Sequence, residues 1–556
     1  MKVRVFRGYE IDEYWTNIAQ RIADRMREKY KLDFPNIDYY FVSLDEMASI
    51  VATHGWIVFP SSWEEGQRYY LNKIKQKLIG ESIIEIVVPS YSEKRNTPIK
   101  AYINSSYNDV AKKLVIAHVL GHAHIYKNNV LSRRFKIEDP ISFFYRLLQK
   151  INEYEILYGE EEVQEFIENI KHLSTLIDLY PSVKIQKETT SLSQKEKRKA
   201  MEKFLIKEKD KIPKRKEYDI LKFLEKYAPL EKWQRDLLKS YRKLFYFLYS
   251  TGSIKILHEG FSSLVELIYF LDSDEEELPI KEWISYAELS AQRELPLGSL
   301  IIKEDFNPYF LGFKLLMHGL IKLATGEYNK EFLEEKTKWY ERISREDLKD
   351  IINKPEFIEA WRKILDKVNT YDDFLLIKNL FDLEFFNSVA RKHYFVYEGE
   401  NYLWYKKIVV SRSYKDILTT FLFSSYNLKL PRVYIPRGGG EYNKKENEDR
   451  GELLLVQDTS FPEMLGIQRK QLTLYEKNEK IVLEALYKIW KKPVNIKTFD
   501  VEFEPKKNVS ATSWFFSTIF GVWHPEMLPS LEERSGKIIE VIDRFDGNKF
   551  EKIKIK

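Results

Sequence analysis

Two histidines four residues apart dominate the chemistry legible in this chain. His118-Val119-Leu120-Gly121-His122 lies inside Ser106–Asn129, a stretch with helical periodicity. On a helix, positions i and i+4 project side by side from one face, so both imidazoles could reach one metal ion. The chain has nine histidines, and three of them (His118, His122 and His124) fall within seven residues. Small Ala117 and Gly121 let another element approach closely. Ordinary helix packing would explain a lone pair of this kind equally well. Zinc peptidases usually carry H-E-x-x-H, whose glutamate activates water. Here Val119 stands in that position.

A helical zinc site needs a third ligand, often a glutamate on a second helix. The candidate is Glu259 in His258-Glu259-Gly260-Phe261-Ser262, which runs into apolar Leu264, Leu267 and Ile268. An ionisable pair entering an apolar helix is costly unless paired or metal-bound. The competing reading is an acid stabilised by a helix N-terminus. Glu266, seven residues on, shares the face of Glu259 and is a candidate base, as is His258; a surface acid is the plainer reading of Glu266. Gly438-Gly439-Gly440 lacks the Lys-Ser/Thr and helix of a nucleotide loop, so it reads as a hairpin turn.

The elements that must position these residues are mainly helical. Residues 11–35 read as a helix on Ile18, Ile22 and Met26. Glu85–Pro89 and 98–103 read as strands, followed by the histidine helix, capped by Asn108 or Asp109. Residues 141–270 and 281–395 have helical periodicity, with breaks at Pro296–Ser299 and Phe306–Tyr309. After Tyr394, short β-branched runs alternate with helical stretches at Tyr414–Ser425 and Ile467–Trp490. The expected fold class is α+β, mainly α: a large helical domain over 1–400 and a small α/β domain over 401–505. An aromatic tail over 506–556, with Trp514, Phe515, Phe516 and Trp523, is expected to dock on the body.

Composition narrows the functions. The 556 residues are 44% hydrophobic and 15% aromatic, which excludes a wholly disordered protein. Cysteine is absent, so disulfides, thiolate metal sites and cysteine nucleophiles are excluded. No apolar run approaches the ~18–20 residues of a membrane span, and no secretory leader is visible at Met1. The expected location is the cytoplasm. Charged residues make up 31%, a flavour that suits a thermophile. Net charge is only +5, while Lys187–Glu217 alone holds 12 basic and 6 acidic residues. The basic excess is therefore local, within a charged excursion over 184–216, and whole-surface nucleic-acid binding is disfavoured.

At several of these segments the chain resembles the stage V sporulation protein R (SpoVR-like) family. Ala117–Asn129 is similar to the family's A-H-x-x-G-H-x-x-F-F-K-x-N, and His258–Ser263 to its N-E-G-W-A-S/T. Asn152–Val163, Tyr227–Leu238, Asn307–Phe313, Asp449–Val456 and Ile489–Thr498 fit further family elements in the same order. Departures mark a divergent member. The family's H-W-S-F-G-K appears as Ser62–Gln67, without its His and Lys, and the Asn before the glutamate is His258. The His118, His122 and Glu259 set also resembles the helix pair of gluzincin metallopeptidases, where N-E-G-F/W-A carries the third zinc ligand.

The resemblance implies a zincin-like helical domain whose His118, His122 and Glu259 hold one Zn²⁺. The implied activity is hydrolysis of an amide or peptide bond in a peptide-like substrate. Glu266 and His258 are the candidate bases, and Glu155, from the family-like segment, is a weaker one. The alternative is a non-catalytic scaffold or regulator, in which the same residues form a structural metal site or a buried polar cluster.

Overall fold

Alternation in Val3-Arg-Val-Phe-Arg buries Val3 and Val5 and gives the first strand, β1 (Val3–Arg7). The computed structural model describes residues 2–47, 85–179, 213–273, 277–278, 308–324, 352–387, 432–440, 451–460, 476–503 and 536–555. A few positions inside those runs are excepted, and single residues are described elsewhere. The described elements are mainly helices, with two five-stranded sheets. The chain divides into two units, Met1–Gln149 with Phe247–Tyr394, and Lys150–Tyr246 with Phe395–Lys556.

In the first unit, β1 is joined by β2 (Glu10–Ile11), β3 (Ile37–Val42), β4 (Glu85–Val88) and β5 (Ile99–Asn104) in the order β2-β1-β3-β5-β4. The central β1, β3 and β5 run parallel, and the two outer strands are antiparallel to their neighbours. Helix Glu13–Glu28 makes the crossover from β1 to β3. Asp12 caps it by accepting from the Trp15 N–H, and it buries Trp15, Ile18, Ala19, Ile22, Ala23 and Met26. That is a one-sided stripe of the kind that lies on a sheet. It ends before residue 35, because Lys31 takes a left-handed φ of 55° and turns the chain into β3.

The histidine helix, Asp109–Asn128, follows β5 after a short turn. The Asn108 side chain accepts from the Ala111 N–H and caps it. From Leu114 to Ile125 every residue is buried, so the helix is covered on all sides rather than along one stripe. The glutamate helix, Lys255–Asp272, packs against it, and Pro308–Ala324 packs on the glutamate helix in turn. Gly121 makes the first approach possible: a Cβ there would lie 2.6 Å from Ser262 Cα. Helices Pro355–Thr370, Asp373–Leu380 and Leu383–Phe385 follow.

The second unit holds helix Glu160–His172, helix Ile220–Tyr227 and the second sheet. That sheet runs β10-β9-β8-β7-β6, from β6 (Val433–Tyr434), β7 (Leu453–Gln457), β8 (Val494–Phe503), β9 (Gly536–Phe545) and β10 (Phe550–Lys554). Helix Glu476–Trp490 crosses between the parallel β7 and β8. Strands β9 and β10 thus lie in the stretch the sequence reads as a docking tail. Residues 437–440, around the three glycines, form a turn. Nearly all of the charged excursion 184–216, the segment Ser62–Gln67 and the aromatics from Trp514 to Trp523 lie outside the described residues.

Candidate metal centre

The two helices of the first unit face each other across a cluster of imidazoles and carboxylates. His118 and His122 stand side by side with ring centroids 4.7 Å apart. Their Nε2 atoms lie 4.0 Å and 3.8 Å from the same oxygen, Oε2 of Glu259. Two ligand bonds of ~2.1 Å span roughly 3–4 Å, so these separations suit a single ion among the three. The structure therefore brings together the three residues that the sequence names as metal ligands.

The far side of each imidazole is also held. His118 Nδ1 is 3.1 Å from Glu266 Oε2. His122 Nδ1 is 2.8 Å from His258 Nε2, and Tyr126 stacks edge-on against His258 at 4.7 Å. In the tautomer a metal needs, each Nδ1–H donates backwards and each Nε2 lone pair faces Glu259. Glu266 and His258 are thus placed behind the imidazoles, not across from them. Glu155 lies in the second unit, half-buried, where its Oε1 accepts from Gln164 Nε2.

A residue not singled out in the sequence completes the cluster. Glu85 opens β4, and its Oε1 is 3.7 Å from His118 Nε2. Glu85, His118 and His122 each offer one ligand atom within 4.8 Å of the other two. Among the described residues, Glu85 Oε2 is buried and has no hydrogen-bond partner. An oxygen left this way calls for a water or a cation. Its sequence signal is slight: an acid at the head of the β-branched run Glu85–Pro89.

The electrostatics suit a neutral His122 beside an ionised acid. Burial, and after it the neighbouring His258, pushes His122 well below its ordinary value. Burial likewise takes His258 down to about 4. Glu259 is pushed up by burial, but Lys255, His122, His258 and His118 together pull it below the usual carboxylate range. Lys255, one turn earlier, has Nζ 3.3 Å from Glu259 Oε1, which leaves Oε2 turned to the histidines. Two neutral imidazoles and a carboxylate are a zinc-type donor set. This donor chemistry fits a divalent cation, and the orphaned Glu85 oxygen fits a water beside it.

A mainly helical chain built around this His–Glu cluster is what the fold defines. It belongs to the family described as SpoVR like protein, whose profile matches residues 12–429. It is also similar to "Uncharacterized protein YcgB" of Escherichia coli (strain K12), with 24% identity over 431 residues. That match covers 73% of this chain and 79% of the relative. No solved structure matches. Among the described residues, no helix is long and apolar enough to cross a membrane.

Proposed function

We propose that this SpoVR-like chain is a cytoplasmic, zinc-dependent hydrolase of amide or peptide bonds with a zincin-like helical domain. His118, His122 and Glu259 would hold the ion, and Glu266 and His258 would orient the imidazoles. The observation that carries this reading is the convergence of both Nε2 atoms on Glu259 Oε2, each imidazole being held from behind. Bound there, Zn²⁺ would polarise the scissile carbonyl and acidify water. The protein's own share is to hold His122 neutral, keep Glu259 ionised beside Lys255 and bury the cluster.

A structural site or polar cluster in a scaffold is the second reading. It is favoured by Val119, which offers no proton acceptor, and by the direct His118–Glu266 and His122–His258 contacts. The test is elemental analysis of the purified full chain, followed by assay of the zinc-loaded protein on fluorogenic peptide and amide libraries. Stoichiometric zinc with chelator-sensitive cleavage supports the hydrolase. Stoichiometric zinc with no cleavage supports the structural site.

A further inference from the structure

We infer that Glu85 is the proton acceptor which the usual helix position, Val119, does not supply. The inference rests on the reading of His118, His122 and Glu259 as the ligand set. Three protein ligands leave a position open for water, whereas a fourth would close the site. Glu259 already has a defined orientation, with Oε1 on Lys255 and Oε2 between the imidazoles. Glu85 comes from a different element and reaches the same Nε2 side of His118, at 3.7 Å. Its other oxygen is buried without a hydrogen-bond partner among the described residues. A carboxylate with one oxygen at the cluster and one unsatisfied is placed to accept a proton from water. Glu266 and His258 touch the opposite, Nδ1 faces, so neither competes for that place.

The pairing of β4 explains how a strand can replace a helix residue. Glu85 lies opposite Ile103 on β5, and β5 leads through residues 105–108 into the histidine helix. The strand therefore delivers Glu85 beside the helix that carries His118. In the step itself, Glu85 takes one proton from water while the water oxygen bonds to the amide carbonyl carbon. The C–N bond then breaks, and the proton passes from Glu85 to the leaving nitrogen. The products are a carboxylic acid and an amine, and the only co-reactant is water.

The experiment compares wild type, Glu85→Gln, Glu85→Asp and Glu259→Gln as full chains, with Zn²⁺ or Co²⁺ alone as the metal probe. Glu85→Gln should change metal affinity by less than the ~10-fold floor seen for outer-shell contacts and leave the Co²⁺ visible spectrum unaltered in shape. Its turnover on an amide substrate cleaved by wild type should fall ~10²–10⁴-fold, with Glu85→Asp recovering part of it. Glu259→Gln should lose the metal. Metal loss in Glu85→Gln equal to that in Glu259→Gln would make Glu85 a ligand and overturn the inference. Wild-type turnover in Glu85→Gln would also overturn it, with the ligand set left standing. A wild-type chain that binds no metal, or binds it and cleaves nothing, removes the hydrolase reading and the inference with it.

Discussion

His258 holds His122 by its far nitrogen: His122 Nδ1 and His258 Nε2 are 2.8 Å apart, and both rings are buried. Only one proton can lie between them, and with a metal on His122 Nε2 that proton would sit on His122 Nδ1, which then donates to His258. Replacing His258 with Ala frees His122 to rotate and to switch tautomer. Zinc affinity should fall by ~10–100-fold, as for other outer-shell partners. Competition with a chromophoric chelator measures this. An unchanged affinity would mean that packing alone orients His122.

Stability should decline as the solution is acidified from neutrality. Burial lowers both His124 and His258 to about 4 in the folded chain, against ~6.5 when unfolded. Between those values the unfolded chain binds more protons, so stability rises with pH across the window. It is fully present above about pH 6.5 and is lost as pH falls toward 4, by a few kcal/mol in all. Urea unfolding of the metal-free chain at pH 7.0, 6.0 and 5.0 checks the sign. His124→Asn should flatten the slope.

Gly121→Ala should destabilise the fold and disturb the centre together. The new Cβ would lie 2.6 Å from Ser262 Cα, a backbone atom that cannot swing aside. Overpacking of this kind costs about 1–3 kcal/mol. Thermal unfolding gives the loss, and zinc titration shows whether Glu259 has moved from the histidines. Adding Ser262→Gly should give little relief, because the backbone clash persists.

Asp373 holds the start of the glutamate helix. Its carboxylate accepts from the Ile256 and Leu257 N–H groups at 3.0 Å and 2.8 Å, and it is buried. Those are orphan donors of a first helical turn, where a negative charge is also favoured. Asp373→Ala should cost about 0.5–2 kcal/mol, and Asp373→Asn less, since it keeps an acceptor. Denaturant midpoints separate the two. Equal losses would assign the effect to the charge alone.

Local features of the site could be read from the chain, whereas its long-range pairings could not. Asn108 caps the histidine helix as its residue type suggests, and the strands at 85–88 and 99–104 follow their β-branched runs. His118, His122 and Glu259 were legible because spacing and resemblance agree on them. Glu85 was not, since only the antiparallel β4–β5 register brings it to His118. The pairing of β1 with β3 is illegible for a related reason: the two run parallel across the intervening helix Glu13–Glu28, far apart in sequence. Residues 11–35 read too long as a helix, because periodicity does not register the left-handed turn at Lys31.

The first unit is discontinuous in sequence, and this constrains how a growing chain can complete it. The histidine helix is buried from Leu114 to Ile125, yet its partner helix begins only at Lys255. Glu259 leaves the ribosome 137 residues after His122, a delay of roughly 7–27 s at about 5–20 residues per second. During that interval the stretch Leu114–Ile125, buried in the folded chain, has no glutamate helix to cover it, and its paired imidazoles have no Glu259 to face. Any metal that needs Glu259 as a ligand would therefore be captured late in synthesis, only after the glutamate helix has emerged.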